Sequence, residues 1–180
     1  MDNIEITVGT IRFSAMNLLA MREHSVLELT QKLQQKFNDK ELSNNQELSS
    51  NKKFLDCHEC ITAVIEKLTA EGLQSDVRFA EAFVAMRQRQ GKGSLIIRLE
   101  LKERGIHHDI ITTCINISDE IWNQIAIKVY VKKFGYSTIR DLKQLSKEMR
   151  FLTTRGFSSA NIQYALKDIE QIRKVEFTVD

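Results

Sequence analysis

Apolar and polar positions along this chain repeat with helical rather than strand spacing. The pattern predicts helices over residues 11–22, 25–37, 56–71, 75–90, 94–104, 107–117, 119–134, 138–155 and 158–171. Gly72, Gly91, Gly93, Gly105, Gly135 and Gly156 fall where the helical patterns break, as expected of C-terminal caps. Ser25-Val-Leu-Glu28 has capping-box spacing, and Ser75, Ser94, Ser118, Ser137 and Ser158 are further N-cap candidates. Residues 38–55 are polar and rich in Asn and Ser, so a flexible connection is expected there. The alternating segments at the two ends read as frayed termini or short strands. The chain contains no proline, so nothing removes an amide donor from a helix interior, and an all-α fold follows.

The pattern also repeats at longer range. Leu19, Leu101 and Leu152 each precede an arginine by three residues: Arg22, Arg104 and Arg155. Ten residues after each leucine stand Leu29, Ile111 and Ile162, and one helical turn later Leu33, Ile115 and Leu166. The unit is a helix, a tight turn and a helix, preceded in the second and third copies by one more helix. Three tandem three-helix repeats in an elongated, curved array are expected, because short units stack by burying one face on a neighbour. The divisions expected are 1–55 for a first repeat with its polar linker, 56–117 for a second and 118–180 for a third with its tail. Arg22, Arg104 and Arg155 end helices, where a cation meets the last free carbonyls; a structural role is expected for all three.

Composition narrows the function classes. The 180 residues include no apolar run long enough for a membrane span, and the first residues lack the pattern of a secretory signal. With three cysteines, a reducing cytoplasm is the expected setting. The net charge of +2 conceals segregated blocks: −4 over 1–76, +4 over 77–104, −3 over 105–127, +6 over 128–155 and −1 over 156–180. Such blocks predict separate positive and negative surfaces.

In the first basic block, Phe79, Phe83 and Met86 share the core side of a helix. Arg78 and Arg89 lie on another side, and Lys92 extends the line past the helix end; Arg87 is a further candidate in the same block. Arg98 and Lys102 continue the block. In the second, Arg140, Lys143, Lys147 and Arg150 form one stripe, while Leu142, Leu145, Met149 and Leu152 should pack inward. Both blocks are candidate contacts for an acidic protein surface or for DNA phosphate; a solvated face is the competing account.

Gly91-Lys92-Gly93 lacks the spacing, the hydroxyl residue and the preceding strand of a phosphate-binding loop. Cys57-His-Glu-Cys60 has zinc or redox spacing but no second ligand pair and no βαβ setting, so two ordinary cysteines are expected. No catalytic constellation can be assembled. Neither enzyme activity nor any cofactor or metal is expected, and the chain reads as a monomer.

Five motifs run in order along the chain: Leu18-Leu19-x-x-Arg22-x-His24-Ser25-x-x-Glu28-Leu29, Gly72-Leu73-x-x-Asp76-x-Arg78-Phe79-Ala80-Glu81-x-Phe83 and Arg87-x-Arg89-x-Gly91-x-Gly93. Glu100-Leu101-x-x-Arg104-Gly105-Ile106 and Arg150-Phe151-Leu152-x-x-Arg155-Gly156-Phe157-Ser158 complete the series. With these motifs the sequence resembles the RecX family of regulatory proteins, and the resemblance is specific. It spans about residues 13–170, departing at the polar insertion over 38–55. It implies a modulator of the RecA recombinase that lies in the groove of the RecA–DNA filament and lowers filament assembly, ATP hydrolysis, strand exchange and co-protease activity in recombination, DNA repair and the SOS response. Single- or double-stranded DNA is the second candidate partner, and a stand-alone helical DNA-binding protein the alternative function.

Overall fold

The computed structural model describes residues 8–42, 50–116, 118–136 and 141–176. The described residues are helical with short turns and no strand: α1 (Val8–Met21), α2 (Val26–Leu42), α3 (Ser50–Ala70), α4 (Asp76–Arg89), α5 (Ser94–Glu103), α6 (His108–Ile115), α7 (Asp119–Phe134), α8 (Leu142–Thr154) and α9 (Ser159–Glu176). The connection expected over 38–55 is corrected at its two ends, because α2 continues to Leu42 and α3 begins at Ser50; residues 43–49 lie outside the described residues. The two alternating ends lie largely outside the described residues.

Contacts divide the chain into two units, residues 1–80 with 104–106, and residues 81–103 with 107–180. In the first, α1, α2 and α3 enclose Ile11, Ala15, Leu29, Leu33, Phe37, Ile61 and Leu68. The helix expected over 56–71 thus packs with the first-repeat helices. In the second, α7, α8 and α9 bury Ala126, Tyr130, Leu152, Phe157, Ile162, Ala165 and Ile169. The repeated positions Leu29, Leu33, Ile111, Ile115, Ile162 and Leu166 are all buried, as are Leu101 and Leu152. Phe79 and Phe83 are buried too, but Met86 is 36% exposed, at the edge of that helical face.

The turns use the repeated motif twice. In the first unit the Arg104–Ile106 turn meets the start of α2: Ser25 Oγ donates to the Arg104 carbonyl at 2.9 Å. In the second, the Arg155–Phe157 turn meets the start of α5: Gly93 N donates to the Arg155 carbonyl at 2.8 Å, and Leu95 N to the Gly156 carbonyl at 3.0 Å. Gly93 is therefore not a left-handed cap. It precedes α5, with its carbonyl accepting from Ile97 N at 3.3 Å, and Ser94 is the first helical residue. Asp141 caps α8 by accepting from Gln144 N at 2.6 Å; the expected cap Ser137 lies outside the described residues. Ser75 and Ser158 cap as expected, accepting from Arg78 N and Asn161 N. Ser118 stands at the cap position of α7 without a side-chain bond.

The capping box at Ser25 is turned to another use. Ser25 Oγ accepts from Glu28 N at 3.1 Å, but the Glu28 carboxylate gathers Arg22 at 3.1 Å, His24 at 3.3 Å and Arg104 at 3.2 Å. His24 is 2% exposed, and its carbonyl accepts from Gln74 Nε2. Burial holds the His24 imidazole below its ordinary value; Arg22 acts in the same direction, while Glu28 opposes both. The unfolded chain therefore binds more protons below about pH 6.5. Stability is fully present above that pH and is lost as pH falls toward the depressed folded value. Thermal melts from about pH 7.5 to about pH 5.5 should show a falling melting temperature that flattens in His24→Gln. An equal slope in parent and variant would assign the acid sensitivity to other groups.

Candidate partner-binding site

Positive charge in the second unit gathers around a groove of about 500 Å³ lined by the end of α4, by α7 and by the end of α8. Arg89, Lys128, Lys132, Lys133 and Arg155 contribute its cations, and none of its lining side chains is acidic. Ile125, Val129 and Phe151 supply an apolar floor. Helical spacing explains the arrangement. Ile125 and Val129 are one turn apart on α7, and Lys128 and Lys132 are one turn apart beside them.

Aromatic packing holds the α8 wall in place. The Phe134 ring lies 5.1 Å from Tyr130 and meets Phe151 edge-on at 5.3 Å. The Arg155 guanidinium stands 5.2 Å over Phe151, and its Nη1 donates to the Gln90 carbonyl at 3.2 Å. Aromatic pairs of this kind contribute about 0.5–1.5 kcal/mol each beyond simple burial. Arg155 thus serves a helix end as expected, but the end is that of α4 rather than its own helix. Arg104 and Arg22 likewise reach beyond their own last carbonyls, to Glu28.

The cations singled out from the sequence divide into tied and exposed sets. Arg78, in the first unit, pairs with Glu23 at 2.8 Å and donates to the Gly72 and Leu73 carbonyls. Arg87 lies 2.7 Å from Glu100, with the Nε–H turned off the line to the carboxylate, and stacks 5.0 Å over Phe83. Both arginines hold structure together. Arg89 is exposed at the groove, its Nε donating to its own helix at Ala85. Lys92 and Arg98 are half-buried, and Lys102 is exposed.

On α8, Lys143, Lys147 and Arg150 are exposed; Arg140 lies outside the described residues. The inward face of α8 differs from expectation. Leu142 is 84% and Met149 42% exposed, whereas Glu148 is 2% exposed and accepts from Gln144 Nε2 at 3.1 Å. The buried line runs through Leu145, Glu148 and Leu152, and at about 100° per residue Leu142 and Met149 fall on its flank. A hydrogen-bonded carboxylate replaces an apolar contact there, which apolar patterning cannot anticipate.

Lys128, Lys132 and Lys133 were not singled out from the sequence. Their signal was the +6 block, which begins at Lys128. The Cys57 side chain of the Cys-x-x-Cys pair lies outside the described residues, while Cys60 packs against the α1–α3 core. Burial pushes the Cys114 thiol up, with Glu81 adding to the effect, which disfavours the nucleophilic thiolate. Among the described residues no helix is long and apolar enough to cross a membrane.

Comparison with known proteins adds independent findings. Residues 75–115, which cover α4 to α6, match the family model for the second three-helix domain of RecX. The chain is 34% identical over 152 residues to the regulatory protein RecX of Pseudomonas fluorescens strain Pf-5, covering 84% of this chain and 86% of that one. It is 34% identical over 158 residues to the regulatory protein RecX of Legionella pneumophila strain Corby, covering 87% and 93%. The crystal structure of RecX from Lactobacillus salivarius superposes with a TM-score of 0.68 over 91% of this chain and 97% of that one, at 20% identity. At that identity the superposition speaks for the fold.

Proposed function

The chain belongs to the RecX family of regulatory proteins, and from that premise we propose that it binds the RecA recombinase filament and mostly inhibits it. The effect falls on filament assembly, ATP hydrolysis and strand exchange, in the cytoplasm during recombination and repair. The observation that supports this reading is the cationic groove of the second unit, whose five positive side chains repel one another with no carboxylate among the lining residues. An acidic partner relieves that repulsion, so binding is favoured electrostatically before any specific contact forms. The exposed Lys143, Lys147 and Arg150 give the same unit a second cationic face.

The mechanism needs no chemistry by this protein. A bound regulator shifts a filament between growing and shrinking states only by preferring one of them, and the shift equals the difference in affinity. The test is hydrolysis of ATP by RecA on single-stranded DNA, with the chain titrated from zero to excess. A graded fall in hydrolysis, with loss of strand exchange, is expected. Unchanged rates at saturating chain would refute the reading. Tight duplex binding without RecA, steeply weakened by salt, would instead favour a stand-alone DNA-binding protein.

A further inference from the structure

We infer that the groove between the end of α4, α7 and α8 seats an acidic peptide segment with one apolar anchor side chain, supplied by a protein partner. The inference rests on the reading above for the existence of a partner, and it assigns this face to protein rather than to nucleic acid.

Charge and floor chemistry together make the argument. Arg89, Lys128, Lys132 and Lys133 are exposed around the groove, with Arg155 at its α8 end. Cations alone would suit a phosphate backbone equally well. The floor does not: the half-buried Ile125 and Val129 offer apolar surface that a phosphodiester chain leaves uncovered, with Phe151 behind them under the Arg155 guanidinium. Filling that floor with an aliphatic or aromatic side chain removes apolar area from water while flanking carboxylates meet the cations.

Size and stacking separate the occupants further. A space of about 500 Å³ admits a large side chain and a short stretch of backbone. Single-stranded nucleic acid binds by stacking bases on open aromatic faces. Here Phe151 is the aromatic on the floor, and Phe134 lies against it at 5.3 Å while the Arg155 guanidinium covers it at 5.2 Å.

Fluorescence anisotropy on the purified full chain tests the inference. The probes are a labelled peptide of aspartates and glutamates around one central phenylalanine, the same peptide with serine at the centre, and labelled oligothymidylate. The phenylalanine peptide should bind, and the serine peptide should bind roughly tenfold more weakly. The K128E/K132E variant, altered at two exposed positions, should weaken the phenylalanine peptide by about tenfold or more while leaving the melting temperature within about 2 °C. If that variant melts early, the neutralised pair Lys132→Gln with Lys133→Gln replaces it.

Equal binding of the two peptides would remove the anchor from the proposal. Failure of both peptides to bind, or tighter oligothymidylate binding that K128E/K132E abolishes, would overturn it. Inhibition of RecA by a chain that binds neither peptide would defeat the groove assignment alone. Peptide binding by a chain that leaves RecA untouched would defeat the functional reading alone.

Discussion

Replacing Gly156 by alanine is expected to lower the melting temperature by roughly 10 °C, a loss of about 2–5 kcal/mol. Two effects add. Gly156 has a φ of +85°, where a side chain costs about 1–2 kcal/mol. A Cβ there would also lie 2.6 Å from Ile96 N and Cβ, closer than any real contact. Gly93 isolates the second effect, because it does not take the left-handed backbone. Its Cβ would meet the Gly156 carbonyl oxygen at 2.3 Å and Phe157 N at 2.5 Å. These are backbone atoms and cannot swing aside, so Gly93→Ala is expected to cost about 1–3 kcal/mol, the range of overpacked sites. Both changes open the same joint, including the bond from Gly93 N to the Arg155 carbonyl. The double variant should therefore cost less than the two single changes together. Denaturant midpoints for the four proteins measure this. Additive losses would mean the turn and the α5 start do not form one joint, and a Gly156→Ala melt within about 2 °C of the parent would contradict the close approach itself.

The second large effect concerns function. Reversal of Arg140, Lys143, Lys147 and Arg150 to glutamate is expected to weaken inhibition of RecA by about tenfold or more, without loss of helicity. The four changes carry the formal net charge from +2 to −6, so an acidic filament surface would meet repulsion in place of attraction. Lys143, Lys147 and Arg150 are exposed, so folding should tolerate their reversal. The parent's inhibition should also weaken as salt rises, since exposed charges separated by more than about 10 Å are screened near 0.1 M ionic strength. Full inhibition by the reversed protein would remove this face from the interface and leave the groove as the remaining cationic contact.

Much of the architecture was legible from residue order. Each expected helix has an observed counterpart, because helical periodicity and the absence of proline are local properties of the chain. The repeated positions Leu29, Ile111 and Ile162 proved buried for the same reason: the same local pattern meets the same kind of neighbour in each copy. The site was legible in part. The +6 block contains the three lysines that line the groove, and Lys143, Lys147 and Arg150 are exposed as a helical wheel places them. Lys128 and Lys132 escaped notice because their significance depends on what stands beside them, namely Arg89 and Arg155 from distant parts of the chain. Arg78 and Arg87 looked equally available, yet Glu23 and Glu100 claim them through contacts that no spacing rule contains.

By itself, then, the sequence determined the order of the helices, most of the turn glycines and the sign of charge in each block, since these depend on backbone propensity and on residues a few places apart. Only the tertiary structure decided which cations are tied and which face an open groove. It also decided that Glu148 is buried while Leu142 is not, and that Gly93 is needed for space rather than for a turn. Those outcomes depend on which groups from remote segments come within a few ångströms, a distance set by packing rather than by order along the chain.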